Sequence, residues 1–179
     1  PTQPPRAPHG KVRIVTSRPG PLPDFPGSVG LSQLSVYPWP TADDAHGGTP
    51  HMHLACAECY VVVGGRGRLE TLSFQGHQVT PLTPGDVVWF TPGTIHRAVN
   101  DGDLRVLVVM QNSGLPEAGD AVMTFPPEYL TPQTYPATAS VLDDSGQADA
   151  GRARARRDLA LGGFAELTRQ WRRGNRAAY

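Results

Sequence analysis

Short apolar runs separated by glycine- and proline-rich turns fill the middle of the chain. VGLSQLSV at 29–36 alternates apolar with polar residues, as a strand with one buried face does. ECYVVV (58–63), RLETLS (68–73), QVTPL (78–82), DVVWF (86–90), IHRAV (95–99) and LRVLVVM (104–110) follow, divided by GGRG, FQGH, TPG, TPGT and NDGD. Strands this short and this closely spaced predict an antiparallel sandwich or barrel. Ahead of them, 1–28 is dense in proline and glycine, with KVRIVT at 11–16 as its one convincing strand. Proline lacks an N–H and fixes φ, so this stretch is expected as an extended arm with an edge strand.

Beyond Gln111 proline is too frequent for a strand and the apolar period too weak for a helix. Met123, Phe125, Tyr129, Leu130 and Tyr135 nevertheless make the stretch too apolar for a disordered linker. An ordered flap over 113–150 is expected, wrapping the barrel of 29–112 or a partner and partly covering the barrel's mouth. From about Gly151 the pattern turns helical. Ala160, Phe164, Leu167 and Trp171 fall at i, i+4, i+7 and i+11, one apolar stripe on an arginine-rich helix over 151–179. That stripe predicts docking on the barrel or on a neighbouring subunit. Gly162 and Gly163 interrupt it, each weakening a helix by about 1 kcal/mol relative to alanine or marking a break into two helices.

The candidate chemistry sits between Thr49 and Asn100. His51 and His53 are two apart, so on a strand both imidazoles leave one face, about 6.6 Å apart along it. Glu58 opens the run CYVVV, placed to return a carboxylate to the same interior face, and His96 follows a Pro-Gly turn. If Glu58 points inward, so do Tyr60 and Val62. If His96 does, so do Ala98 and Asn100. Imidazoles with one carboxylate suit divalent first-row ions such as iron, manganese, nickel or zinc, and leave positions open for substrate. His46, in the loop PWPTADDAHGGTP, and His77, in the turn FQGH, are expected to face solvent.

This stretch resembles the cupins, a family of small double-stranded β-helix barrels. His51, His53, Glu58 and Gly65 match the family's first motif, with Ala45 where its leading glycine stands, and Gly85, Gly93, His96 and Asn100 match the second, with Thr91 in its proline position. The resemblance implies an all-β jelly-roll barrel with a C-terminal helical extension, and a divalent transition metal held by His51, His53, Glu58 and His96. It says little of the reaction, because one fold hosts many functions.

Composition narrows the partners. Sixteen basic against 16 acidic side chains give a formal net charge of zero, so nothing announces nucleic acid or a membrane surface. No apolar run approaches the ~20 residues that span a bilayer, and a soluble cytoplasmic protein is expected. The arm and the helix stripe offer more surface than a barrel needs internally, which predicts a homodimer. Cys56 and Cys59 are spaced as a redox dithiol would be, but a strand entrance is the wrong place for one, and incidental thiols beside a metal pocket are expected.

The functional expectation is a metal-dependent enzyme acting on a small organic molecule, first of all a non-haem Fe(II) oxygenase, with Tyr60, Val62, Phe90 and Met110 on the pocket wall and Tyr60 orienting substrate. Two alternatives use the same ligands. One is a sugar or keto-acid isomerase or lyase with the metal as Lewis acid. The other is a non-catalytic small-ligand or sugar sensor.

Overall fold

Of the computed structural model, residues 29–111 and 120–178 are described; the arm at 1–28 with its expected strand at 11–16, residues 112–119 and Tyr179 lie outside them. Seven strands form one antiparallel sheet: β1 (Gly30–Ser35), β2 (His51–His53), β3 (Glu58–Ser73), β4 (Gly76–Leu82), β5 (Val87–Phe90), β6 (Ile95–Met110) and β7 (Ala121–Met123). Their order is β4-β3-β6-β2-β7, with β1 joined to β6 and β5 to β3. The spacing of the apolar runs predicts a sandwich or barrel, and the antiparallel arrangement is the jelly roll that the resemblance implies.

Two long strands carry the architecture. β3 and β6 run 16 residues each and pair from Glu58↔Met110 to Leu72↔Ile95. GGRG and NDGD, read above as turns, are instead bulges within these strands, lying opposite one another. The register shifts between Val62 and Gly67, where Arg66 pairs with Gly102 and Gly67 with Asn100. A bulge adds a residue on one side and bends the ribbon, so one strand serves both halves of the roll. The bend depends on missing side chains: a Cβ on Gly67 would stand 2.2 Å from the Val99 carbonyl oxygen. Asn100 closes the far side. Its amide donates to the Val36 carbonyl (2.8 Å), while its Oδ1 accepts from the N–H groups of Gly102 (3.0 Å) and Leu104 (3.1 Å). Its inward position thus serves the bend.

The interior is apolar at the positions strand parity assigns. Tyr60, Val62, Leu69, Leu82, Ala98, Leu104, Val106, Val108 and Met110 form the main cluster, each large aliphatic side chain contributing about 1.5–3 kcal/mol on burial. The inward positions are even-numbered in the first half of β3 (Tyr60, Val62) and odd at Leu69, as the intervening bulge requires.

A second cluster lies outside the sheet, under the helix. α1 (Tyr135–Ala139) is a single short turn; α2 runs Ala150–Arg172 without a break. Its start is capped by the Asp149 side chain, which accepts from the Arg152 N–H at 2.7 Å. Phe164 packs with Leu72 and Ile95, joined by Met52, Leu167 and Trp171. The two glycines do different things. Gly162 is open, whereas a Cβ on Gly163 would stand 1.8 Å from the Thr124 carbonyl oxygen. Gly163 therefore permits close approach of helix and chain, which Thr124 fastens by donating its hydroxyl to the Ala160 carbonyl at 2.8 Å. Arg97, one residue after His96 and on the opposite face, lies beneath α2 in a buried pair with Glu70 (3.0 Å) and an ion pair with Asp43.

The flap also differs from expectation. It holds β7, which adds itself to β2, so an edge strand stands where proline density predicts none. His77 likewise is not a solvent-facing turn residue: it lies on β4, half-buried, its ring 5.9 Å from that of Phe164. His46 is exposed. No helix among the described residues is long and apolar enough to cross a membrane.

Candidate metal centre

β2 and β6 set the geometry, because His51 pairs directly with His96 across them. His53 follows on the same face of β2, and Glu58 begins β3 beside them. Each of the four offers one donor atom, and all four atoms lie within 4.8 Å of one another. Ligands about 2.1 Å from a central ion stand at most about 4.2 Å apart, so the cluster closes on a divalent ion with small shifts.

The ring orientations fit the same conclusion. His51 Nδ1 lies 2.9 Å from the Thr49 carbonyl and His96 Nδ1 3.0 Å from the Thr94 carbonyl. A carbonyl only accepts, so both Nδ1 atoms carry hydrogen and both Nε2 atoms are left with a lone pair. His53 Nδ1 donates to Asp120 at 2.8 Å. Its Nε2 and that of His96 then converge on one oxygen, Glu58 Oε2, at 3.1 and 3.0 Å. His96 Nε2 and Glu58 Oε2 are buried atoms without a hydrogen bond. A buried acceptor left unpaired costs about 1–3 kcal/mol, and an ion between them answers three imidazoles and a carboxylate at once. The residues present fit a metal.

Electrostatics prepares the ligands. Burial, reinforced by neighbouring His96, pushes the His51 imidazole down to about 3, so it stays neutral and ready to coordinate. Burial acts to raise Glu58, but the His53 and His96 imidazoles against it outweigh burial and hold the carboxyl well below its ordinary range. For His53 burial favours the neutral ring, yet Glu58 and Asp120 on its two sides prevail and raise its pKa.

Asp120 is the residue that sequence reasoning missed. It fixes the His53 ring while its other oxygen accepts from the N–H groups of Ala55 (2.9 Å) and Cys56 (3.0 Å). Carboxylates placed this way orient a ligating imidazole and raise its basicity. Burial would lift the Asp120 pKa, but these donors hold it low. The residue sits just ahead of β7 in the proline-rich stretch, and nothing in the local pattern marks it. The Thr49 and Thr94 carbonyls had a faint signal, since each stands two residues before a ligand histidine.

The family model described as Cupin domain matches residues 42–110. The barrel is a cupin domain. No curated protein matches the chain. Among solved structures it is similar to the Streptomyces nucleoside dehydratase Pac13 (15% identity, TM-score 0.41, 55% of this chain and 69% of that one). It is similar as well to KdgF from Halomonas sp. (21%, TM-score 0.39, 56% and 74%) and to the DMSP lyase DddQ from Ruegeria pomeroyi (20%, TM-score 0.39, 55% and 43%).

The His51, His53 and Glu58 side of the cluster opens into a cavity of about 300 Å³ lined by Leu34, Val36, Tyr37, Thr49, Tyr60, Ala98, Met110, Met123 and Arg156 among others. Tyr60 and Met110 therefore stand on the pocket wall where they are expected. Phe90 does not. It lies tilted behind His96, ring centroids 4.1 Å apart, and lines an outer groove. Val62 is core, and Arg105 packs over Gly64 on the bent ribbon. The two cysteines are free thiols. Burial, with Asp120 adding to it, pushes Cys56 up; burial and then Glu58 do the same for Cys59. Both are held as thiols, which are poor nucleophiles.

Proposed function

We propose that this cupin is a metal-dependent enzyme for small organic molecules, binding a divalent first-row ion through His51, His53, Glu58 and His96 and acting as a non-haem oxygenase. The supporting observation is that three of the ligands, His51, His53 and Glu58, border a cavity whose remaining wall is largely apolar, with Leu34, Val36, Ala98, Met110 and Met123. When bound, iron supplies exchangeable positions at which substrate and dioxygen meet. The chain's own residues do the rest. Asp120 holds the His53 ring in its coordinating orientation, and the Thr49 and Thr94 carbonyls do so for His51 and His96. The aliphatic wall excludes water from the reacting centre. Tyr60 is buried against Phe90, in edge contact at 5.5 Å, and this fixed ring orients substrate.

The test is oxygen consumption by Fe(II)-loaded protein supplied with small carbonyl or hydroxy-acid compounds. The expected result is uptake in proportion to substrate lost. Turnover without uptake moves the reading to a Lewis-acid isomerase or lyase, and binding without turnover to a sensor. The reading also includes a homodimer, supported by the exposed Phe74, Val87 and Trp89 gathered along one groove. Light scattering on the full chain checks it, a monomer at tens of micromolar counting against it.

A further inference from the structure

Arg156 and Arg157 are neighbours on α2 and face opposite fates. Arg157 is fully buried and satisfied: its guanidinium donates to the carbonyls of Trp39 (3.4 Å) and Pro40 (2.9 Å) and to Asp158 (2.9 Å). It pins the helix to the loop before β2. Arg156 instead reaches the wall of the metal cavity. Its Nε is buried with no hydrogen bond, and its one hydrogen bond among the described residues is a long 3.4 Å bond from Nη1 to the Ala139 carbonyl. Among the described residues no carboxylate pairs with it. A second polar atom on the same wall is in the same condition, because the Thr49 hydroxyl is buried without a partner.

A guanidinium left unpaired in a partly buried site is costly unless something completes it. We infer that the ligand of this cavity is a small carboxylic acid whose carboxylate is taken by Arg156, with the Thr49 hydroxyl as second donor and the reacting end of the molecule toward the metal cluster. The fork of a guanidinium matches the two oxygens of a carboxylate. One fork and one hydroxyl serve two oxygens, whereas the three terminal oxygens of a phosphate ester would leave one stranded among aliphatic side chains. The volume of about 300 Å³ is at the lower end for ligand sites and admits a molecule of roughly ten non-hydrogen atoms. Burial depresses the Arg156 pKa, only partly opposed by Tyr37 and Tyr135, which agrees with a cation awaiting its counter-ion.

This inference rests on the metal-site reading above and is tested by binding. Zinc-loaded full-length protein, which performs no oxygen chemistry, is titrated calorimetrically with acetoacetate, 2-oxobutanoate and 3-hydroxybutanoate, with their methyl esters, and with methyl phosphate. At least one acid binds, and its ester binds at least about tenfold more weakly. Arg156→Gln loses that preference while keeping its zinc; Arg156→Lys recovers part of it, and Thr49→Val weakens the acid by a smaller factor. Equal binding of acid and ester, unchanged acid binding in Arg156→Gln, no binding of any acid, or tighter binding of methyl phosphate overturns the inference. Arg156-dependent acid binding by a protein that consumes no oxygen with iron overturns only the oxygenase reading. Oxygen-consuming turnover of neutral substrates, indifferent to Arg156→Gln, overturns only this one.

Discussion

Replacing Asp120 by asparagine exchanges one oxygen for a nitrogen and should disable His53 as a ligand. One carboxylate oxygen accepts from His53 Nδ1, and the other from the main-chain N–H groups of Ala55 and Cys56. Two donors face the second position, so the asparagine oxygen must take it and the NH₂ must face His53. An NH₂ opposite an Nδ1–H is two donors in contact. The ring escapes by moving its proton to Nε2, 3.1 Å from Glu58, and that proton occupies the lone pair the metal needs. Loss of an orienting carboxylate typically lowers metal affinity 10–100-fold, about 1.4–2.7 kcal/mol, and the forced tautomer places Asp120→Asn at the upper end. Asp120→Ala removes the acceptor but imposes no tautomer, so its affinity loss should be nearer tenfold. Its stability should fall further, because two amide hydrogens lose their partner at about 1–3 kcal/mol. The two substitutions should therefore rank oppositely: alanine above asparagine in metal affinity, asparagine above alanine in stability. Competition against a chromophoric chelator measures the first and urea denaturation of the metal-free protein the second. Metal affinity of Asp120→Asn within threefold of the parent would refute the orienting role.

His51→Ala and His96→Ala should each abolish stoichiometric metal uptake, and Glu58→Ala should weaken it, while His46→Ala and His77→Ala leave it intact; metal analysis after gel filtration decides. On α2, Gly163→Ala should destabilise by about 1–3 kcal/mol through its clash with Thr124, whereas Gly162→Ala, with nothing near it, should stabilise by up to about 1 kcal/mol; thermal melts of the pair separate packing from propensity. In the metal-free protein His53 is raised above its ordinary 6.5. Its contribution to stability is thus full below pH 6.5 and is lost as pH rises through the folded value. Metal must displace that proton, so apparent affinity should climb with pH over the same window, and a pH-independent chelator competition would contradict the assignment.

Part of the gathering of His51, His53, Glu58 and His96 was legible in the chain because strand parity is local. His51 and His53 share a face by a period of two whatever the strand pairs with, and the same arithmetic placed Tyr60, Ala98 and Asn100 inward. The apolar runs likewise named a sandwich or barrel, and the stripe through Phe164 named the face α2 buries. What failed was whatever depended on pairing across the fold. GGRG and NDGD have the composition of turns, and only their mutual alignment in β3 and β6 makes them bulges. Proline around β7 argued against a strand, yet an edge strand needs only one satisfied side, and β2 supplies it. Phe90, read as pocket wall, sits behind His96 because pairing with Glu58 fixes where its side chain goes. Asp120 meets His53 across 67 residues, and Arg156 reaches the cavity from a helix whose pattern showed an apolar stripe and a basic face but no link to the site. Contacts of that kind are set by chain closure in three dimensions, and they leave no period in the sequence.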